Sequence, residues 1–339
     1  MSLHQFGASA CRWSFFLYTL DMQKILVILG PTATGKSGLA VKLALRLNSG
    51  QAKKLGINGA EIISADSRQV YKGLDIGTGK VTKKEMGGIP HHLLDVISPQ
   101  KTFSVAEWKE QAEKKIDEIV SKGKLPIICG GTGFYIQSIV ESVVLPEVPP
   151  NKTLRKQLTK KKLEDLQKIL AKLDPRRFAN IDIKNRVRLI RAIEIATHLG
   201  SVPPLSKGIF DTRHKFLEIG LTLPDDELKK KIHNRLIVRI KTGMITEAKK
   251  LHKKGLSWKR MYELGLEYRY LALLLNPKSD FKYSKGQTFG IPEFIQKLET
   301  EIWHYTKRQK TWFKRDQKIK WYKPTDTKKI EKVVANFLK

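Results

Sequence analysis

The run Lys24-Ile25-Leu26-Val27-Ile28-Leu29-Gly30-Pro31-Thr32-Ala33-Thr34-Gly35-Lys36-Ser37 decides the architecture. Its five consecutive apolar residues read as a short strand buried on both faces. The next eight residues match GxxxxGK[ST]. Leu39, Ala40, Leu43, Ala44 and Leu47 then recur at three-to-four spacing, which predicts a helix over Ser37–Leu47. Strand, glycine-rich turn and helix are the context in which this motif binds phosphate. Glycines let the backbone wrap an anion, and the amide N–H groups at the helix N-terminus stabilise its oxygens. Lys36 adds a positive charge, and the Ser37 hydroxyl is a candidate ligand for Mg²⁺. Gly30, Pro31, Thr32, Ala33, Thr34, Gly35, Lys36 and Ser37 together form a candidate diphosphate- or nucleotide-binding loop. The motif does not distinguish a triphosphate from a diphosphate.

Outward from this loop the same alternation repeats. Ala60–Ala65 is a second buried strand. Ser104 and Glu107 have the spacing of a capping box that opens a helix ending near Gly123. Leu125–Cys129 is a further apolar strand, closed by Gly130-Gly131-Thr132-Gly133, and the polar stretch Asn48–Gly59 reads as a loop. Strands alternating with helices predict an α/β protein with a P-loop NTPase-like parallel sheet flanked by helices. After Leu145 the texture changes. Pro146, Pro149 and Pro150 form a linker, and Lys152–Leu199 reads as Lys/Arg-rich helices broken at Asp174-Pro175. Phe216–Leu223 returns to strand character, and the remainder is mostly helical and basic. The expected division is a catalytic core of residues 22–145 and 200–339 around a small helical insertion of residues 146–199.

Lys plus Arg number 64 against 33 Asp plus Glu, a formal net charge of +31 that points to a polyanionic partner, most commonly nucleic acid. The 41% hydrophobic content argues against a disordered chain. Cys11 and Cys129 form no CxxC pair, so neither a zinc site nor a disulfide framework is expected. His91 and His92 follow Pro90 without an evident third ligand, and a structural role is expected for them. The first 21 residues are read as an extension ahead of a natural start at Met22. No apolar run reaches the roughly 20 residues of a membrane helix. The expectation is a cytoplasmic monomer with no membrane contact.

Asp66 ends the second strand, at the sheet edge where ligands of open α/β folds gather. Position alone leaves it open as a general base, a magnesium ligand or a turn cap. The run Ile63-Ser64-Ala65-Asp66-Ser67-Arg68-Gln69-Val70-Tyr71 goes further. With Gly30–Ser37, Gly130–Tyr135 and Lys307–Phe313, it resembles the bacterial tRNA dimethylallyltransferase (tRNA isopentenyltransferase) family over most of the chain. His91-His92-Leu93-Leu94-Asp95 and Arg191-Ala192-Ile193-Glu194 are also similar to family segments. The resemblance implies that the phosphate loop holds dimethylallyl diphosphate with Mg²⁺. It implies that Asp66 is the general base for an adenine N6 amine in a tRNA anticodon stem-loop. Ser67, Arg68 and Gln69 would contact the flipped-out base and its neighbours. Thr132 would lie near the reacting groups, and Arg155 would steady the diphosphate or the tRNA backbone. Two further tRNA-binding segments follow from the likeness: Val187, Arg188, Leu189, Ile190 and Arg191, and Lys307, Arg308, Gln309, Lys310, Thr311, Trp312, Phe313 and Lys314. At helical spacing, Trp312 also fits a core position. Val187 stands where the family commonly has glutamine.

The implied chemistry suits these residue types. An exocyclic adenine amine is a poor nucleophile, so a carboxylate that takes its proton as the new bond forms assists it. Diphosphate leaves readily only if its growing charge is met by cations and amides. Other classes share parts of the pattern. They are an isopentenyltransferase acting on free adenine nucleotides, a small-molecule P-loop kinase, and a non-catalytic RNA-binding protein.

Overall fold

The computed structural model describes residues 22–51, 56–204, 214–276 and 290–339; the expected N-terminal extension lies outside them. In chain order, β1 (Gln23–Leu29) leads through the phosphate loop into α1 (Lys36–Arg46), which ends in a π-helical turn, Leu47–Gln51. β2 (Ala60–Ala65), the short α2 (Lys83–Met86) and the two-residue β3 (His91–His92) follow. Next come α3 (Val105–Ser121), β4 (Leu125–Gly130) and α4 (Gly133–Val140). Four helices then follow in the stretch expected as an insertion: α5 (Lys152–Lys160), α6 (Leu163–Leu173), α7 (Pro175–Ala179) and α8 (Arg186–Leu199). The chain returns through β5 (His214–Leu221) and α9 (Asp225–Lys241). It continues with α10 (Met244–Lys253), α11 (Trp258–Leu264), α12 (Leu266–Leu275) and the long α13 (Ile291–Phe313), and closes with β6 (Lys320–Tyr322) and α14 (Thr327–Leu338).

The strands form one parallel sheet in the order β3-β2-β4-β1-β5-β6. β1 is central, and its side chains alternate between two apolar layers. Ile25, Val27 and Leu29 enter one, with residues of α3, α4 and α9–α13. Leu26 and Ile28 enter the other, with residues of α1 and α14. Burial of both faces explains why β1, β2 and β4 read as unbroken apolar runs. Trp108 of α3 ties the first layer to the sheet: it stacks on Tyr135, ring centroids 4.6 Å apart, and its indole N–H donates to the Ser64 carbonyl at 3.0 Å.

Local chemistry sets the element ends. Ser104 and Glu107 form the reciprocal capping box of α3. Asn48 Oδ1 accepts from the Ala60 N–H at 2.7 Å, so part of the stretch expected as loop is a helical turn tied to the start of β2. Asp174 breaks the insertion where expected. One of its carboxylate oxygens caps α7 through the Arg177 N–H at 2.8 Å, and the other accepts from the Val202 N–H at 2.7 Å. The insertion has its own apolar cluster, from Val148 to Val202, built on Leu158, Leu166, Leu170, Leu189 and Ile193. Among the described residues, no helix is long and apolar enough to cross a membrane.

Candidate active site

Parallel strands put the ends of β1, β2 and β4 at one edge of the sheet, and a cavity opens there. It is lined by Thr32, Lys36 and Ser37 of the phosphate loop, by Asp66 and Gln69 after β2, and by Gly130 and Gly131 at the end of β4. The carboxylate at position 66 and the anion cradle therefore face the same space.

The cradle's backbone requires glycine at its first position. Gly30 has φ of 138°, and a Cβ there would lie 2.5 Å from the Leu221 carbonyl oxygen of β5. Thr34 Oγ1 donates to the Pro31 carbonyl at 2.9 Å, and the Lys36 ammonium folds onto the same oxygen at 2.5 Å. Burial lowers the Lys36 pKa to about 8; Arg235 lowers it further, while Cys129 and Asp66 act in the opposite direction. The loop is held from outside by Gln309 of α13. Gln309 Oε1 accepts from the Thr32 N–H at 2.9 Å, and its Nε2 donates to the Gly131 carbonyl at 2.8 Å.

Asp66 sits in an Asx turn. Its Oδ1 accepts from the Arg68 N–H at 2.8 Å and the Gln69 N–H at 3.3 Å, while Oδ2 accepts no hydrogen bond from a described residue. One oxygen is thus fixed and the other is available to a ligand proton. Thr132 stands beside it: Thr132 Oγ1 accepts from the Ser67 N–H at 3.0 Å, and its own N–H donates to the Ala65 carbonyl at 3.1 Å. Tyr305 of α13 lines the cavity beside Thr132. Burial first, and the Asp66 charge second, push its phenol pKa upward, so it stays protonated.

Two wall groups come from residues that the sequence did not single out for this site. Arg235 of α9 lines the cavity and donates to the Gly79 carbonyl at 3.1 Å. Burial, then the neighbouring Arg239, lower its pKa to about 10, so it remains a cation at neutral pH. Ala40, Ile62, Val81, Leu94 and Cys129 form an apolar section of wall, joined by Thr78 and His91. His91 is therefore a wall residue, its Nδ1 paired with the Ile89 carbonyl at 2.8 Å. His92 is structural, its Nε2 held by Glu61 at 2.7 Å.

Arg155 lies outside the cavity lining, which leaves the tRNA backbone as the partner expected for it. Its guanidinium makes a bidentate pair with Glu194, Nε–Oε1 at 2.8 Å and Nη2–Oε2 at 2.7 Å, and this clamps α5 to α8. Glu194 also accepts from Arg191 and from the Asn151 N–H. Desolvation works against this carboxylate's charge, but the guanidiniums and the amide outweigh it and hold its pKa below the usual range. The arginine that lines the cavity is Arg235. Leu189, Gln309 and Phe313 turn inward. All three side chains are buried, Leu189 in the insertion's apolar cluster, Gln309 against the phosphate loop and Phe313 in the main core. Val187 and Arg188 lie exposed in the first turn of α8, and Ile190 is half-buried. On α13, Lys307, Arg308, Thr311 and Lys314 are exposed, while Lys310 is half-buried and paired with Asp225. Trp312 packs edge-on against Phe134, ring centroids 6.1 Å apart, in keeping with the core position that its spacing allows.

Residues 69–316 match the IPP transferase family. A tRNA dimethylallyltransferase 2 of Treponema denticola is 41% identical over 305 residues, covering 89% of this chain and 95% of that one. Among solved structures, a tRNA isopentenylpyrophosphate transferase of Bacillus halodurans superposes with a TM-score of 0.64 at 32% identity, over 93% of this chain and 97% of its own. A eukaryotic dimethylallyltransferase acting on tRNA shares the fold, with a TM-score of 0.71 at 20% identity over 92% of this chain and 78% of its own. A family match across most of the chain, joined to a phosphate loop and a carboxylate that share one cavity, makes this chain a member of the IPP transferase family.

Proposed function

We propose that the chain transfers a dimethylallyl group from dimethylallyl diphosphate to the N6 amine of the adenosine 3′ of the anticodon in tRNA, giving N6-isopentenyladenosine and diphosphate. The observation that carries this reading is the shared cavity, with Asp66 on one wall and Lys36 and Arg235 on the others. The N6–C bond forms as the allylic C–O bond breaks. The amine proton passes to the unpaired oxygen of Asp66, and the bonding electrons leave with diphosphate. Lys36, Arg235 and the loop amides meet that charge where it develops. The apolar section around Ala40, Ile62, Val81 and Leu94 takes the five-carbon tail. Thr132 and Tyr305 fix the groove in which the purine lies.

A divalent ion would be held here without a protein cage. Among the described residues, no group of three His, Cys, Asp or Glu side chains is placed to hold a metal. Mg²⁺ readily takes most of its ligands from phosphate oxygens and water, and the Ser37 hydroxyl, at the cavity wall, is the protein oxygen for it. When bound there, Mg²⁺ would offset diphosphate charge.

The RNA would lie across the outward faces of α8 and α13. Arg188, Lys307, Arg308 and Lys314 present exposed cations there. Arg155 and Arg191 keep 40% and 36% of their side chains exposed while pairing with Glu194, so they can still offer an edge to backbone phosphates. The base must leave its stack, a cost of a few kcal/mol that is lowest in a loop. The test is transfer of labelled donor to an anticodon stem-loop RNA and, separately, to AMP. Transfer to the stem-loop supports the proposal, and transfer to AMP alone overturns it.

A further inference from the structure

A second cavity, of about 80 Å³, lies between α4, the C-terminal end of α13, and β5, and shares no lining residue with the first. Among its polar lining groups is Glu218, in the middle of β5. The flanking Leu217 and Ile219 point into the apolar layer on the opposite face of the sheet, so Glu218 is turned toward the cavity. The residue is 6% exposed, its carboxyl oxygens reach the cavity surface, and no described residue hydrogen-bonds or ion-pairs with it. A buried carboxylate normally has a partner, because losing water without replacement is strongly unfavourable. The other walls are apolar or aromatic: Leu29, Ile136, Val140, Trp312, Phe313 and Ile319. Three charged groups join them: Glu141, Asp316 and Arg315. Glu141 accepts from Gln137 Nε2 at 2.9 Å, and the exposed Arg315 guanidinium lies 5.4 Å from the Trp312 ring centroid. The Trp312 face therefore already attracts a cation.

We propose that this cavity binds an organic ammonium ion, a short alkyl amine or diamine, with its charged head on Glu218 and its hydrocarbon body along Trp312, Phe313 and Ile319. A bare metal ion fits less well. Among the described residues, no three acidic, His or Cys side chains are close enough to share one, and most of its coordination sphere would face hydrocarbon. The aromatic and aliphatic walls instead suit a ligand that is part charge and part alkyl chain. The inference does not depend on the transferase reading, because neither the cavity nor its floor belongs to the first site.

The pH dependence has a definite sign. Burial first, then Asp316, raise the Glu218 pKa to about 7, with Glu141 adding to the rise and Lys318 opposing it. Below that pH the carboxyl holds a proton, which an incoming ammonium must displace. Affinity should therefore rise with pH through about 7, with release of up to one proton. Because the whole chain carries +31, bulk electrostatics repel amines, and any saturable binding reports a local acidic site.

The experiment is calorimetric titration of the full chain with 1,4-diaminobutane and n-butylamine at pH 6 and pH 8, against 1,4-butanediol and potassium chloride. The expected result is saturable amine binding, tighter at pH 8, with neither diol nor potassium replacing it. E218Q, which keeps the side-chain shape, should lose at least about tenfold in affinity. E141Q, a change away from the cavity floor, should lose about two- to fivefold while folding normally. Equal binding of diol and amine, equal displacement by potassium, unchanged amine affinity in E218Q, or no saturation by the amines overturns the proposal.

Discussion

At the scale of single residues, the site separates holding from reacting. Asp66 uses Oδ1 to organise its own turn and leaves Oδ2 without a hydrogen bond from a described residue. Asp66→Asn keeps a turn-forming acceptor but loses the base, whereas Asp66→Ala loses both. Both variants should lower the single-turnover rate by roughly 10²–10⁴-fold. Donor affinity, read by equilibrium titration, should be unchanged in Asp66→Asn. A large loss of donor affinity in that variant would point to a metal-holding role. Lys36 gives a prediction of opposite character. Burial places its pKa near 8 rather than at the usual lysine value, and a bound diphosphate would favour the charged form. Diphosphate binding should therefore take up protons at and above about pH 8, and affinity should fall as pH rises beyond it. Titrations in buffers of different ionisation heat read the proton count directly. Arg235, lowered only to about 10, stays charged across this range and does not mask the effect.

At the scale of elements, α13 does two jobs with one sequence. Phe294, Leu298, Ile302, Thr306, Gln309 and Phe313 form its buried stripe, while Lys307, Arg308, Thr311 and Lys314 face outward. In the sequence, Lys307 to Lys314 reads as a single basic segment, but helical periodicity divides it. Gln309 becomes a brace between the Thr32 amide and the Gly131 carbonyl, joining the turns after β1 and β4. Gln309→Ala would leave both backbone groups unpaired, so about 1–3 kcal/mol of stability should be lost in denaturant unfolding, with weaker diphosphate binding. Thr311→Ala, two positions on and exposed, should change stability by less than about 0.5 kcal/mol. The difference between these two positions also shows what a sequence can reveal. β1, β2, β4 and the capping box of α3 were legible because each is specified by adjacent residues. β3 and β6, two and three residues long, carry no pattern to read. Arg235 was missed because nothing near it in the sequence marks it; only the packing of α9 beside Gly79 brings it to the phosphate loop. Arg155 is a converse case, read from its sequence as an anion contact without its structural partner. Its basic neighbourhood suited an anion, but the buried Glu194 claims its guanidinium.

At the scale of the molecule, the net charge of +31 separates into cations that serve the fold and cations that face solvent. Lys80 is buried between Asp75, Asp95 and the Tyr71 carbonyl; Arg239 pairs with Glu267 and the Gly77 carbonyl; and Arg186 holds the end of α5. Arg188, Lys307, Arg308 and Lys314 form no ion pair with a described residue and remain exposed. RNA affinity drawn from these exposed cations should fall steeply with salt, because each phosphate that they neutralise releases condensed counterions. Replacing Lys307 or Lys314 with alanine should lower the slope of log affinity against log salt by about one for each phosphate left without its lysine. The single-turnover rate at saturating RNA should not change, since neither residue lines the cavity that holds Asp66. Filter binding across a salt series together with rapid-quench turnover separates the two effects. A drop in the saturated rate would mean that these lysines position the base rather than hold the stem. An unchanged slope would move the RNA path off α13 altogether.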